Sequence, residues 1–541
     1  MHYRAPLFGF ILCCLLTKEA LSGQKDHDKI SFLPGVWPMP TFKQYSGYLN
    51  GFTNNIRLHY WLVEATENAE SSPLILWLNG GPGCSSMEGF LSENGPYNMI
   101  EGTNLVKNPY SWNRLANVLY LEAPAGVGFS YAVDGNITTD DDFTALNNYH
   151  ALLHFLERFP EYENRDFYIT GESYAGVYVP TLALHLINST KLHLKGIAVG
   201  NALTNYRLND NSMLYFAKYH GLVGEKVWND LLAHCCHSPY YSQCMFTDNP
   251  SDKCQRLINY ISDNVTIGLN EYNIYDYCGD VSSIMNQNVE NLYSLSNIHS
   301  MFQHSDFGYL FENNTYIQKK RELLSQIRQK IRVKLVLPYI PHSWQVCSDE
   351  VSSLYIRNYR DLSHQYKKIL ESKVPILLYN GDVDMVCNFI GDEWFVDNLK
   401  LKLHDYRQHW IYTSEDGTKQ IGGYWKSFSK NNVKFIYSTV RGAGHMVPIL
   451  LYNGDVDMVC NFIGDEWFVD NLKLKLHDYR QHWIYTSEDG TKQIGGYWKS
   501  FSKNNVKFIY STVRGAGHMV PRDRPVAMFH LIQSFLEKKS L

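Results

Sequence analysis

The chain has 541 residues, of which 45% are hydrophobic, and its formal net charge is −5. This composition predicts a globular protein with an ample core, and the slightly acidic balance does not indicate a basic face for nucleic acid. Beyond the N-terminus no stretch approaches the roughly 18 apolar residues that cross a bilayer. We therefore expect a soluble mature protein with neither membrane nor nucleic acid as a partner.

The first 23 residues are typical of a secretory signal peptide. Arg4 precedes a short apolar run, Phe8–Leu16, and the small residues Ala20 and Ser22 precede a cleavage site near Gly23. Four N-x-[ST] sequons follow, at Asn136, Asn188, Asn264 and Asn313. Together they predict a glycoprotein of the secretory pathway, lysosomal or secreted.

Strands and helices alternate after the signal. Strand-like runs occupy Leu74–Leu78, Asn117–Leu121 and Leu194–Val199, and Asp142–Arg158 has apolar residues at helical spacing. This alternation predicts an α/β fold with a mostly parallel sheet covered on both faces. Residues 24–205 form the first part of this predicted core.

The alternation is lost from 206 to 345, which we interpret as an inserted cap domain over the carboxyl edge of the sheet. Within it, Lys319–Lys334 predicts a basic helix with a solvated face. From 346 to 541 the core resumes, with a helix near Glu350–Ser372, strands at Pro375–Tyr379 and Lys434–Val440, and a closing helix at Asp523–Lys538.

Residues 376–448 recur letter for letter as 449–521. Solenoid repeats are shorter and drift in sequence, so this identity indicates a recent duplication or a mistake in joining exons. Only one copy can fill one place in the core. We expect the other to be extruded, which would expose apolar surface and promote aggregation.

The segment Asp166–Pro180 is the first candidate for chemistry. Asp166–Thr170 predicts a strand that Gly171 ends, and the residues after Ser173 predict a helix. A serine on such a turn is the nucleophile of a G-x-S-x-G elbow, although Ala175 replaces the last glycine. Taken alone, the string is equally consistent with an ordinary turn.

A serine nucleophile needs a base and a carboxylate that orients the base. Asp384 and His445 follow Ser173 in the chain order of α/β-hydrolases, and Asp457 and His518 are their duplicates. Each aspartate and each histidine follows a predicted strand, which places it at the edge where parallel strands end.

The glycine-rich run Trp77–Ser86 predicts an oxyanion hole. Gly80 and Gly81 let a substrate carbonyl approach the backbone, and the N–H of Tyr174 would be the second donor. The run has neither the lysine nor the spacing of a phosphate-binding loop, so we expect no nucleotide cofactor.

These motifs, together with QYSGYL at 44–49, SWNRLANVLYLEAPAGVGFSY at 111–131 and NDNS at 209–212, make the chain similar to the serine carboxypeptidase family. The resemblance covers most of 30–280 and 346–541. It implies an α/β-hydrolase fold with an inserted cap, and it implies removal of single residues from the free C-terminus of a peptide without cofactor or metal.

The resemblance also implies roles for individual residues. Ser173 matches the nucleophile, Asp384 or Asp457 the orienting carboxylate, and His445 or His518 the base. Gly81 and Tyr174 match the oxyanion hole. The substrate carboxylate would be bound by a set that matches Asn79, Gly80, Glu93 and Glu172.

The two glutamates predict a dependence on pH. Crowded, partly buried carboxyl groups share a proton, and a protonated pair can donate to an incoming carboxylate that an ionised pair would repel. We therefore expect activity at mildly acidic pH. Without the resemblance, Glu172 would be interpreted as a solvated turn residue and Glu93 as a helix-end charge.

The resemblance implies three disulfide bonds, Cys84–Cys347, Cys235–Cys254 and Cys236–Cys244. Cys387 and its duplicate Cys460 match a family cysteine that stays free near the site. Cys278 lacks the partner that the family would supply, and residues 281–345 depart from the family pattern. No CxxC pair exists, so we expect no metal site.

Several alternatives stay open. The closing helix favours Asp457 with His518 over Asp384 with His445, and a mixed pair of Asp384 with His518 is also allowed. Acyl transfer to an alcohol would use the same scaffold. The resemblance further allows a homodimer, and it allows an impaired enzyme that acts as a stabilising partner of lysosomal glycosidases.

Overall fold

A mixed eleven-stranded sheet is the centre of the computed structural model. The structure describes residues 25–33, 35–99, 105–220, 222–223, 225–236, 244–265, 271–274, 344–413, 419–431, 433–441, 481–486, 492–503 and 506–511, together with 529, 532 and 533. The sheet order is β1-β2-β6-β3-β8-β9-β10-β13-β12-β11, with β7 paired to β2. The six central strands from β6 to β13 are parallel to one another, and the outer pairs are antiparallel.

The strands of this sheet and a small β4–β5 ribbon have the following bounds: β1 Gln44–Asn50, β2 Ile56–Val63, β3 Leu74–Leu78, β4 Tyr97–Met99, β5 Leu105–Lys107, β6 Asn117–Leu121, β7 Tyr131–Ala132, β8 Asp166–Ser173, β9 His193–Ala202, β10 Ile376–Gly381, β11 Lys402–Thr413, β12 Lys419–Lys430 and β13 Val433–Val440. The helices are α1 Met87–Ser92, α2 Asp141–Arg158, α3 Ala175–Leu186, α4 Tyr206–Tyr219, α5 Glu225–Cys235, α6 Asp252–Val265, α7 Asp349–Leu354, α8 Ser363–Glu371 and α9 Phe389–Asn398.

The central strands are buried along their whole length because helices pack on the sheet. Every residue of β3, β6 and β13 is buried, as parallel strands covered on both faces require. The helices form two groups: α3 contacts both α2 and α8, whereas α4 contacts α9. None of the helices in the described ranges combines the length and apolar character needed to cross a bilayer.

The predicted strands Leu74–Leu78 and Asn117–Leu121 have the predicted bounds, and α2 begins one residue before the predicted helix. The helix predicted near Glu350–Ser372 is wrong as a single element, because it is two helices, α7 and α8. Between them the backbone N–H groups of Asn358 and Tyr359 donate to the distant carboxylate of Asp141, at 2.8 and 3.1 Å. These two N–H groups therefore donate to a side chain from another element instead of to the backbone carbonyls that a continuous helix would offer.

The strands of the two copies lie in different sheets. The first copy supplies β10 to β13 of the central sheet. In the second copy β14 Gln481–Thr486, β15 Lys492–Lys503 and β16 Val506–Ser511 form a separate three-stranded sheet with the pairing of β11 to β13. Within the predicted closing helix, Phe529 and Ile532 are buried. The predicted basic helix Lys319–Lys334 lies outside the described residues.

Candidate active site

The strand-to-helix turn at Ser173 has the geometry of a nucleophile elbow. Ser173 ends β8 with φ +61°, a left-handed conformation that non-glycine residues rarely adopt, and α3 begins at Ala175. A Cβ on Gly171 would lie 2.3 Å from the Leu78 carbonyl oxygen and 2.6 Å from the Ala175 Cβ. Close packing therefore demands small residues on the strand side of the turn.

The strand continues further than the sequence predicted. Gly171 does not end it, because Glu172 pairs with Gly200 and Ser173 pairs with Ala202 on β9. The register shifts between these two pairs, so β9 carries one extra residue, Asn201, opposite the turn. This β-bulge lies beside the nucleophile, a place where bulges commonly redirect a side chain.

The glycine-rich loop after β3 lies directly against the elbow. A Cβ on Gly80 would be 2.4 Å from the backbone nitrogen of Tyr174 and 2.8 Å from the Ser173 Cβ. Gly81 has φ +111°, and a Cβ there would lie 2.6 Å from the Gly83 nitrogen. Only glycine fits at these two positions, and the loop thereby brings its backbone next to that of Tyr174.

Asn79 joins the two candidate glutamates in one buried cluster. Its Nδ2 donates to Glu93 Oε1 at 3.1 Å and to Glu172 Oε1 at 2.8 Å. Its Oδ1 accepts from the Trp77 indole at 2.7 Å, which fixes the orientation of the amide. Glu93 and Glu172 are 0% and 3% exposed, so neither is a solvated surface charge.

Asp384 lies in the loop after β10 and is fully buried. Oδ2 accepts from Asn201 Nδ2 at 2.7 Å and from the Cys387 backbone N–H at 3.1 Å, and Oδ1 accepts from the Val386 N–H at 3.0 Å. Burial raises the pKa of Asp384 well above its usual range, and these three donors oppose that rise.

The loop that carries Asp384 reaches the nucleophile. The thiol of Cys387 is hydrogen-bonded to the Ser173 side chain, and burial raises the pKa of this free cysteine. Asp384 binds the backbone of the same cysteine. Ser173 and Asp384 therefore lie at one edge of the sheet, whereas His445, Asp457 and His518 lie outside the described residues.

Two residues near the site were not singled out from the sequence. Asn201 holds Asp384, and Tyr272 lies close to Asp384 and Cys387. Burial raises the Tyr272 pKa, and the ionised forms of these two neighbours would raise it further. Tyr272 comes from the segment 271–274, where the Ile274 N–H donates to the Val383 carbonyl at 3.2 Å. The sequence could have indicated Asn201, because it is an amide side chain at the end of a predicted buried strand. Nothing in the sequence distinguishes Tyr272 from the many other tyrosines.

The described cysteines form the three pairings that the resemblance implied. Cys84 is bonded to Cys347, Cys235 to Cys254, and Cys236 to Cys244. Cys278 and Cys460 lie outside the described residues. Within the described ranges no group of three His, Cys, Asp or Glu residues is arranged to bind a metal ion.

Two of the four sequons can be placed on the surface. Asn136 and Asn188 are both exposed. Asn313 and the side chain of Asn264 lie outside what the structure describes.

Comparisons with known proteins agree with this geometry. A family model described as serine carboxypeptidase matches residues 34–450 and again 447–538, so that the second match starts near the second copy. The chain belongs to the serine carboxypeptidase family. It is 41% identical over 486 residues to the lysosomal protective protein of Mus musculus, with 85% of this chain and 98% of the relative covered. A serine carboxypeptidase of Caenorhabditis elegans is 37% identical, with 83% of this chain and 95% of the relative covered.

A solved structure shows the same fold. Kex1(delta)p, a prohormone-processing carboxypeptidase from Saccharomyces cerevisiae, superposes with a TM-score of 0.59 at 21% identity, covering 90% of this chain and 99% of that chain. The central sheet is thus that of an α/β-hydrolase, as the chain order of the candidate triad predicted. Membership of the family identifies the protein as a serine-type carboxypeptidase homologue.

Proposed function

We propose that the protein releases single residues from the free C-termini of peptides at acidic pH, through an acyl-enzyme on Ser173. The observation that carries this proposal is the Asn79 amide, which bridges two buried carboxyl groups beside the elbow. Such a cluster suits a substrate that ends in a carboxylate, because Asn79 and a protonated Glu93–Glu172 pair can donate hydrogen bonds to it.

The proposed reaction has two stages. The Ser173 Oγ attacks the last peptide carbonyl, its proton passes to the imidazole, and the oxyanion is stabilised by the N–H groups of Gly81 and Tyr174. The imidazole then protonates the departing amino acid as the C–N bond breaks, which leaves an ester on Ser173. Water resolves that ester, with the imidazole again accepting the proton.

We assign the orienting carboxylate to Asp384 and the base to His445. Asp384 lies in the loop bound to the nucleophile through Cys387, and His445 follows β13, which pairs in parallel with β10. These contacts support the first copy, although the closing helix had favoured Asp457 with His518.

A His445→Ala variant should lose fluorophosphonate labelling of Ser173, while His518→Ala should keep it. The reverse result would assign the base to the second copy.

The experiment that tests the function compares two blocked dipeptides, one with a free C-terminal carboxylate and one with a C-terminal amide. We expect hydrolysis of the first at pH 5 and at least tenfold slower turnover of the second. A Ser173→Ala variant is the control. Equal rates on both substrates, or preferential transfer of the acyl group to an added alcohol, would contradict the carboxypeptidase assignment and favour the acyltransferase alternative.

A second role is favoured by the duplication and by the name of one relative. The mouse relative is a lysosomal protective protein, so we infer a secretory and lysosomal location, where this chain would be a stabilising partner of glycosidases. Folded protein that fails to label at Ser173 but slows thermal inactivation of a lysosomal glycosidase would support this role without catalysis. Gel filtration of the same sample would show whether the chain forms the homodimer that the family resemblance allows.

A further inference from the structure

The bulge residue Asn201 has a conformation that only a few residue types tolerate. It is fully buried and has φ +36°, in the left-handed region where asparagine and aspartate are the commonest non-glycine residues. Gly200 is the last residue of β9 that pairs with β10, so Asn201 lies just past the ladder. Its side chain reaches the loop that follows β10.

The contacts of the Asn201 amide determine which way it faces. The backbone N–H of Gly381 can only donate, and it lies 2.8 Å from Oδ1. The amide nitrogen is therefore turned towards two acceptors, Asp384 Oδ2 at 2.7 Å and, more weakly, the Cys387 carbonyl at 3.4 Å. The positions of the amide oxygen and nitrogen therefore cannot be exchanged, because the exchange would place a donor against the Gly381 N–H.

We propose that Asn201 is a positioning residue, which holds the Asp384 carboxylate in place and in its ionised form. The inference depends on the function proposed above, in which ionised Asp384 orients the base. A donor to a buried carboxylate stabilises the charged state, and burial alone would favour the neutral acid. Among the donors to Asp384 in the described structure, Asn201 opposes the rise of its pKa most strongly.

Other ionisable groups face Asp384 and are unchanged by a substitution at Asn201. Asp392 on α9 raises the Asp384 pKa when it is ionised, while Cys387 and Tyr272 interact electrostatically with Asp384 from its own loop and from the segment 271–274. In the proposed function the imidazole of the base would also pair with Asp384. Parent and Asn201 variants share all of these groups, so a difference between their pH profiles arises at position 201, and a variant that adds no carboxyl there isolates the amide.

The test is Asn201→Asp, which keeps the shape and the left-handed preference but removes a donor and adds a competing carboxyl. Loss of the donor raises the pKa of Asp384, so Asp384 takes up its proton at a higher pH. Where Asp384 stays ionised, its stronger pull on a proton raises the pKa of the imidazole paired with it. Either effect moves the acidic limb of kcat/KM upward. We expect a shift of about one pH unit or more, that is, roughly a tenfold loss at pH 5 that recovers as the pH rises.

The matched control is Asn211→Asp, the same change at another fully buried asparagine, whose amide donates to Thr247 and to the Arg207 carbonyl. Its acidic limb should not move. A second variant, Asn201→Gly, allows the same backbone conformation and removes the whole amide, both the donor to Asp384 and the acceptor of the Gly381 N–H, without adding a carboxyl. We expect a smaller upward shift from it, and it serves alone if Asn201→Asp fails to fold. An unchanged acidic limb in folded Asn201 variants would overturn the proposal.

The readout separates this inference from the proposed function. If the parent enzyme cleaves no peptide, the proposed function fails, and the rate of Ser173 labelling by a fluorophosphonate can be followed against pH instead. A labelling profile that shifts in Asn201→Asp would still support the positioning role. Activity in the parent with identical profiles in both proteins would overturn the positioning role alone.

Discussion

At the scale of single residues, the proposed binding of a substrate carboxylate by Glu93 and Glu172 depends on a proton held between these two buried carboxyl groups. Both oxygens that Asn79 contacts belong to acids removed from water, and Tyr379 nearby has its pKa raised by burial and by both glutamates. Two negative charges and a third from the substrate would repel one another. One proton shared by the two glutamates would make the site attract the substrate carboxylate, so we expect substrate binding to require acid.

Glu172→Gln tests this account because glutamine is a permanent donor. In the parent, KM for a peptide should be lowest near pH 5 and rise towards pH 8 as the shared proton is lost. In the variant, the rise should shrink to less than half of the parental factor, while kcat keeps its pH dependence. The measurement is KM from pH 5 to 8 with one blocked dipeptide. A flat parental KM over this range would refute the shared-proton account.

At the scale of elements, the glycine-rich loop is held by a second, distant segment. Cys84 is bonded to Cys347, the Ser85 N–H donates to the Val346 carbonyl at 2.7 Å, and the Ser348 N–H donates to the Gly83 carbonyl at 2.9 Å. The buried Glu122 ties the same region together, since it accepts from the Ser85 hydroxyl and from another residue of that segment, Trp344. The loop is thus pinned within three residues of Gly81.

Removing this bond with Cys84→Ser and Cys347→Ser should lower both stability and kcat. The bond joins residues 263 apart, and loss of a native disulfide costs about 2–5 kcal/mol. The control is Cys236→Ser with Cys244→Ser, which opens a bond between residues only 8 apart and away from the loop. Denaturant unfolding and kcat are the measurements. Equal losses of kcat in both double variants would show that the pinning does not serve catalysis.

The elements and the site were predictable to different degrees. β3 and β6 were predicted with correct bounds because continuous apolar runs are typical of buried parallel strands. The break between α7 and α8 was missed because the acceptor for its backbone N–H groups is Asp141, more than two hundred residues away. Asn201 was missed for a similar reason, since its role depends on a bulge in strand pairing and on the approach of another loop.

At the scale of the whole molecule, the duplication can be tested by deleting one of the two copies. Because the copies are identical, deleting 376–448 or 449–521 yields the same chain of 468 residues, 541 minus 73. That chain keeps one β10–β13 unit followed directly by the closing helix. We expect it to show higher soluble yield and less aggregation than the full chain, with Ser173 still labelled. Loss of labelling after deletion would mean that both copies contribute to the site.

Asp392 should stabilise the fold more in acid, because a buried carboxyl is easier to bury when it is protonated, whereas His154 and His220, whose pKa values burial lowers, act in the opposite direction. Burial raises the pKa of Asp392 from 3.8 to about 7, although Thr204, Asn380 and Ala202 all donate to it. Between these two pH values the folded state binds more protons than the unfolded state, so stability falls as the pH rises towards 7. Ionisation of Asp392 over this range lowers the free energy of unfolding by something on the order of a few kcal/mol.

We therefore expect Asp392→Asn to reduce the value of Tm at pH 5 minus Tm at pH 7.5 relative to the parent, because asparagine cannot ionise. Asp134→Asn is the control: Asp134 is exposed and hydrogen bonds lower its pKa, so removing its charge should not reduce the difference. If Asp392→Asn leaves this difference unchanged, the Asp392 carboxyl is ionised in the folded state at both pH values, and its three donors outweigh burial. Loss of a proton from Asp392, and loss of the proton proposed to be shared by Glu93 and Glu172, would each act against the enzyme as the pH rises.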